Sequence, residues 1–238
     1  MAPRILLIKT NPVPGPRLYL LGLLFGLLLS TGSALAQSRD GLFLKQQSKR
    51  YGSISSFITN KGVRMDAMGI KIFVAPPYRT ISMYNAANKS VYRTTVKEIG
   101  DRVNLLKLTP KEKARGMKEA IKVEASTEFF GLKLSHTLME HVDRRGKHRP
   151  VLRIFSTHDA KLPRALEDAC CQLTSCPPGY GLPVKLYMWS KGVQEQLLET
   201  TKVERRQLSE RLFVEPQGYK TVSDEMQLMM DEEDLKGF

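Results

Sequence analysis

The sequence predicts an α+β protein, mainly β, in which an antiparallel sheet carries amphipathic helices across one side. Three observations predict it. Between Gly62 and Tyr92 the residues alternate with a period of two, as strands do when successive side chains point to opposite faces. Several of those strands hold apolar groups on both faces, so each face is expected to meet something other than bulk water. Elsewhere apolar residues recur every three or four positions, which is the spacing of a helix with one buried stripe.

Residues 1–36 stand apart from this pattern. Arg4, Lys9 and Arg17 form a basic start, Leu18 to Leu29 is an apolar run, and Ser33-Ala34-Leu35-Ala36 supplies small residues ahead of Gln37. Those are the three parts of a secretory signal peptide. The apolar run is also shorter than the roughly 20 residues a bilayer span needs. Cleavage between Ala36 and Gln37 is expected, with export to the periplasm or outside the cell. No cysteine follows the small residues, so the junction has no site for a lipid. What remains is about 200 residues, the size of one domain, expected over 37–222, with an acidic flexible tail at 223–238.

The whole chain carries a formal charge of +13, and taking away the three basic residues of the signal leaves +10. Two basic clusters contribute, Lys111, Lys113, Arg115 and Lys118, then Arg144, Arg145, Lys147 and Arg149. Neither is interleaved with aromatics, so base stacking gets no support. Together with export this argues against nucleic acid and makes an anionic membrane surface or an acidic protein the more natural partner.

Taken in order, strands are predicted around Leu42–Lys49 and Ser53–Thr59. The central meander follows: Val63, Met65 and Ala67, then Ile70, Ile72 and Val74, then Tyr78, Thr80, Ser82 and Tyr84, broken by Gly69, Pro76-Pro77 and Asn85-Ala86-Ala87-Asn88. Val96, Ile99, Val103 and Leu106 mark a first helix. Thr109-Pro110-Lys111-Glu112 opens a second with the cap, the proline and the glutamate of a capping box, and Ala114, Met117 and Ile121 are its expected stripe. Strand patterning resumes at Lys122–Glu140 and Arg149–Thr157. A third helix puts Leu162, Leu166, Ala169, Cys170 and Leu173 on one side and must stop before Pro177-Pro178. A hairpin, Leu182–Trp189 with Glu195–Glu204, comes next. Phe213 to Tyr219 is expected to close the sheet.

Motifs that carry chemistry are missing from this sequence. It contains no H-E-x-x-H, no G-x-S-x-G elbow, no P-loop and no G-x-G-x-x-G. His136 and His141 are five apart on a strand and face opposite ways unless a bulge intervenes. No catalytic residue, metal ligand or cofactor is therefore assigned, and the chain is read as a container more than a catalyst. Cys170, Cys171 and Cys176 are the three cysteines. In an exported protein one disulfide is expected, from Cys176 to either Cys170 or Cys171; a zinc site is the alternative, without a C-x-x-C pair to support it.

The order of elements is similar to that of the lipoprotein-carrier-like superfamily, which includes the periplasmic lipoprotein carrier and its outer-membrane receptor. The stretches that carry the likeness are the signal peptide, the GVRMD…PPYRTISMYN meander, GLPVKL, TTKV and FVEPQGYKTV, across roughly Leu42 to Val222. The chain looks most like a branch of exported bacterial proteins within that group. The resemblance implies an incomplete, strongly curved antiparallel barrel whose open side is covered by helices, around an apolar cavity for the acyl chain of a lipid or lipoprotein, with no cofactor and no covalent chemistry. The carrier's functional residues do not map cleanly onto this chain; Arg64 is the one basic residue considered for such a role. Patterning supplies the expected cavity wall: Ile70, Ile72, Val74, Tyr84, Leu186 and Met188 from strands, and Ile99, Val103 and Met117 from helices. The alternative is a cell-envelope interaction protein with a closed core and no ligand.

Overall fold

A computed structural model of the chain describes residues 38–103 and 108–230. The segment expected to be a signal peptide, the Ala36–Gln37 junction, Leu106, the Val103 side chain and residues 231–238 lie outside the described set.

The first meander runs β1 (Ser38–Ser48), β2 (Gly52–Thr59), β3 (Gly62–Ala67), β4 (Ile70–Val74), β5 (Thr80–Asn85) and β6 (Ser90–Thr95). Helices α1 (Val96–Val103) and α2 (Pro110–Ala114) lead to a second meander, β7 (Lys118–Phe129), β8 (Leu132–Val142) and β9 (His148–Thr157). Helix α3 (Arg164–Leu173) precedes its last two strands, β10 (Leu182–Ser190) and β11 (Val193–Ser209). A short 3₁₀ turn (Glu210–Phe213), β12 (Lys220–Val222) and α4 (Glu225–Met229) end the described chain.

All twelve strands form one curved sheet in the order β12-β6-β5-β4-β3-β2-β1-β11-β10-β9-β8-β7. It does not close, since β12 and β7 remain its edges. The two meanders meet where β11 pairs antiparallel with β1. This is the mainly β, incomplete barrel with helices that the sequence implied.

Local chemistry explains the turns. Met68 and Gly69 both have positive φ (52° and 77°) and connect β3 to β4 in two residues. That is the type I′ geometry whose twist matches the flanking strands. Phe130-Gly131 does the same between β7 and β8, which splits the single stretch Lys122–Glu140 into a hairpin.

Curvature is not spread evenly. Register shifts interrupt the β1–β11, β10–β11, β9–β10, β8–β9 and β7–β8 ladders, whereas the ladders from β1 to β6 are regular. Bulges bend a strand and raise its twist, so the second meander supplies the bend. One such site needs internal polar groups. Gln46 is buried beside the Lys45/Gln46 shift, its Nε2 donates to Thr200 Oγ1 at 3.0 Å, and Thr200 Oγ1 donates to Val184 O at 2.8 Å.

Both faces of the first meander are covered. On the inner face Leu42, Ile54, Met65, Ile81 and Tyr92 pack with Ile99 of α1, Leu166 and Leu173 of α3 and Leu228 of α4 in one core. On the outer face Phe73, Tyr84 and Val91 form a smaller cluster capped by Tyr219. The run from Glu210 to Tyr219 lies over this outer side, with Arg64 Nη1 donating to Leu212 O at 3.4 Å.

Three expectations need correction. The Thr109 capping box forms, but α2 stops at Ala114, so Met117 and Ile121 do not continue a helical stripe; Ile121 lies on β7 and is 59% exposed. Phe213 to Tyr219 is not a closing strand, and only Lys220–Val222 pairs, parallel to β6. Within the segment read as a flexible tail, Glu225–Met229 is a helix capped by the Asp224 side chain on Gln227 N.

Candidate functional site

Strand parity decides what faces inward. The β4–β5 register sets Ile72 opposite Met83 and Lys71 opposite Tyr84, and the β3–β4 register sets Met65 opposite Ile72. Ile70, Ile72, Met65 and Met83 therefore share the inner face, and Tyr84 falls on the other side.

Above the inner face, α1, α3 and α4 do not fill all the space. They leave a cavity of about 270 Å³ with walls of Ile54, Met65, Ile70, Ile72, Met83 and Ile99. Leu173 of α3 and Leu228 and Met229 of α4 roof it, and Arg50, Tyr51, Arg102 and Glu225 stand at its rim. The small-molecule range begins at about 300 Å³, and about 150 Å³ of apolar space suffices for benzene. The cavity is of ligand size for one thin apolar group.

The roof has its own fastenings. Leu228 is 2% exposed. Its carbonyl accepts from Asn85 Nδ2 at 2.9 Å and from Asn88 Nδ2 at 3.0 Å, so the turn after β5 holds α4 in place. Arg102 Nη1 donates to Glu225 Oε1 at 3.0 Å, and Arg102 Nη2 donates to the Tyr92 hydroxyl at 3.1 Å. Burial raises the pKa of the Tyr51 phenol, against the pull of Arg50, so this rim tyrosine keeps its proton at neutral pH.

Of the residues expected to line a cavity, the structure brings three together: Ile70, Ile72 and Ile99. Val74 and Leu186 belong to the closed part of the core, at 1% and 0% exposure. Met188 packs against the core edge and faces a second hollow beside the rim. Met117 is half-buried in the link between α2 and β7, away from the wall.

Tyr84 belongs to the outer cluster, edge-on to Phe73 and Tyr219. Its hydroxyl donates to the Glu215 carboxylate and accepts from Arg93 Nη2 at 3.0 Å. Burial and that carboxylate push the phenol up to about 12. Arg64 is also on the outer side. It pairs with Asp66 through two hydrogen bonds of 2.8 and 2.6 Å and lies over the Phe57 and Phe73 rings, far from any cavity role.

Ile54, Met65, Met83, Leu173, Leu228 and the rim arginines were not anticipated. Parity could have supplied Met83 in place of Tyr84. Leu228 was hidden by the acidic composition around it.

The cysteines correct another expectation. Cys170, Cys171 and Cys176 are buried free thiols. The disulfide expected from Cys176 to Cys170 or Cys171 is absent, and backbone hydrogen bonds hold the loop it would have tied. Cys176 N donates to Cys171 O at 2.8 Å, and Ser175 N to Gln172 O at 3.2 Å. The Cys171 thiol is itself engaged, donating to Gly181 O at 2.9 Å. His136 and His141 stay on opposite faces, because the shift in the β8–β9 ladder adds its extra residue to β9. Among the described residues no helix is long and apolar enough to cross a membrane, and no three metal-ligating side chains cluster.

No family model matches the chain, and no curated protein matches it. Among solved structures it is similar to an uncharacterised conserved protein from Thermus thermophilus, at 8% identity and a TM-score of 0.43, over 84% of this chain and 99% of that one. It is similar to MucB at 11% identity and a TM-score of 0.39, over 79% of this chain and 62% of that one. A domain from Vibrio parahaemolyticus assigned to outer membrane lipoprotein sorting aligns at 10% identity and a TM-score of 0.24, over 73% and 87% of the two chains. With every TM-score below 0.5, these likenesses carry no further weight.

Proposed function

We propose that this chain is an exported, non-enzymatic protein that holds one acyl chain of a lipid or lipoprotein between its curved sheet and its helices. The observation that carries the reading is the apolar cavity roofed by Leu173, Leu228 and Met229. A signal peptide over residues 1–36, cleaved before Gln37, fits a protein whose ligand is found in an envelope.

The size of the cavity sets the class of ligand. At about 30 Å³ for a water-sized group, which is close to a methylene, the space takes on the order of nine carbons. Burying them offers about 7 kcal/mol at about 0.8 kcal/mol each. Association itself costs at least about 4 kcal/mol. The chain alone then leaves about 3 kcal/mol, weaker than millimolar binding. A useful ligand must gain the rest at the rim.

Native mass spectrometry of the protein recovered from its own envelope fraction tests the reading. A co-purifying single-chain lipid is expected. Protein that carries no lipid, and that also fails to bind added decanoate, would show the alternative, an interaction protein with a closed core.

A further inference from the structure

Beside the cavity lies a second hollow that shares part of its rim. Arg50, Tyr51 and Arg102 border both spaces. The outer hollow measures about 290 Å³ and adds Lys49, Thr174, Ser175 and Met188 to its lining. Both linings are mainly carbon, Leu197 and Met188 included, but the outer one also places the Lys49, Arg50, Thr174 and Ser175 donors beside it.

The charges around this hollow are not balanced. Lys49 is paired with Glu195, and Arg102 with Glu225. Arg50 makes no ion pair among the described residues; its guanidinium lies 4.9 Å from the centre of the Tyr51 ring. Stacking of this kind holds a guanidinium plane in place while its N–H edge stays open. The Ser175 hydroxyl likewise has no hydrogen-bond partner among the described residues, and Ser175 adopts a positive φ of 63° just past the end of α3. A guanidinium fork and a free hydroxyl beside an apolar hole suit a planar or tetrahedral anion on an alkyl chain.

Resting on the acyl-chain reading of the inner cavity, we infer that the ligand is a single-chain amphiphile with an anionic head. The chain enters between Ile72 and Leu228, and the carboxylate or phosphate sits in the outer hollow on Arg50. Arg102 stands beside it as a second cation. Among the described residues Glu225 is the one acid on the rim of the inner cavity, and its pairing with Arg102 keeps it from opposing the anion in full. The geometry selects against cationic and neutral heads, which gain nothing from an unpaired guanidinium.

Isothermal titration of the purified protein with decanoate, decyl phosphate, 1-decanol and decyltrimethylammonium tests this at low and high salt. Decanoate or decyl phosphate is expected to bind at least about tenfold tighter than decanol at low salt, with the gap narrowing as salt screens the rim. The tighter of the two anions assigns carboxylate or phosphate as the head. In Arg50→Gln, an exposed position whose loss leaves the core intact, the anion-to-alcohol ratio is expected to collapse to within about twofold; Arg102→Gln should reduce it less. Equal binding of all four probes would overturn the head-group inference and leave the cavity standing. Binding of none of them would overturn the acyl-chain reading itself.

Discussion

Arg102 in the last turn of α1 reaches Glu225 in the first turn of α4, Nη1 to Oε1 at 3.0 Å, and so ties the two helices across the rim of the cavity. The pair is half-exposed, at 51% and 38% of the side-chain surface. Below it Leu228 makes the apolar contact that closes the roof. A weak polar tie thus sits over a stronger apolar one.

The first prediction separates those two contributions. Exposed ion pairs contribute about 0–1 kcal/mol, so Glu225→Gln is expected to shift the urea unfolding free energy by less than about 1 kcal/mol. The same change removes a rim carboxylate, so decanoate affinity should rise. A weaker affinity in Glu225→Gln would show that the acid orders the mouth instead of opposing the ligand.

Leu228→Ala should act differently. Truncating a buried leucine costs about 2–5 kcal/mol in a rigid core. Here α4 is a single short helix that can lift away on its own, which places the expected cost near the low end, about 2 kcal/mol. Hydrogen exchange should show amides 225–229 losing protection while those of β1 and β11 keep theirs. Uniform loss across the sheet would mean that α4 is part of the global folding unit.

Much of the sheet could be read from residue patterning. Turn chemistry at Gly69, Pro76-Pro77 and Asn85–Asn88 marked out the central strands, and Thr109 with Glu112 marked a helix start. The remainder was settled by tertiary context. Nothing local told Lys118–Ile121 to begin a strand instead of adding another helical turn, because Ala120 and Ile121 satisfy either period. Bulges were equally hidden, since an extra residue in one strand is defined only by its partner. The cavity wall was half visible for the same reason: Ile70 and Ile72 follow from parity, whereas α4 joined the roof through long-range bonds from Asn85 and Asn88.

The thiols give a prediction in pH. Burial, with Cys171 and Glu167 beside it, raises the Cys170 pKa far above its usual range, and burial together with the Cys171 contact raises that of Cys176. In the unfolded chain both ionise near about 8.5. The folded state keeps these protons longer, so the stability they confer is complete below about pH 8.5 and is lost as pH rises toward the folded values. Each contributes a slope of up to about 1.4 kcal/mol per pH unit above that point. Urea midpoints at about pH 7, 9 and 10 should fall more steeply for the wild type than for Cys170→Ala. Parallel curves would place Cys170 in contact with water. A thiol count on denatured, unreduced protein should find three free groups, and one would restore the disulfide.

The cavity itself is tested by adding volume at two neighbouring positions on β4, one in closed core and one on the cavity wall. Val74 and Ile72 lie two residues apart on β4 and share the inner face, yet their surroundings differ. Val74 is 1% exposed in closed core, so Val74→Phe has no free space to enter and should cost about 1–3 kcal/mol by overpacking. That result is expected whether or not a ligand binds. Ile72 borders the cavity of about 270 Å³, so a phenyl ring there can turn into empty space. Ile72→Phe should keep the unfolding free energy within about 1 kcal/mol of wild type, because the ring replaces a void and not a neighbour. It should also weaken decanoate binding at least about tenfold, which is the loss of about 1.4 kcal/mol expected when one or two methylenes are displaced. Circular dichroism confirms folding in both variants, and titration with decanoate reads the ligand. If Ile72→Phe destabilises the protein as much as Val74→Phe does and leaves decanoate binding unchanged, the acyl chain does not sit against β4.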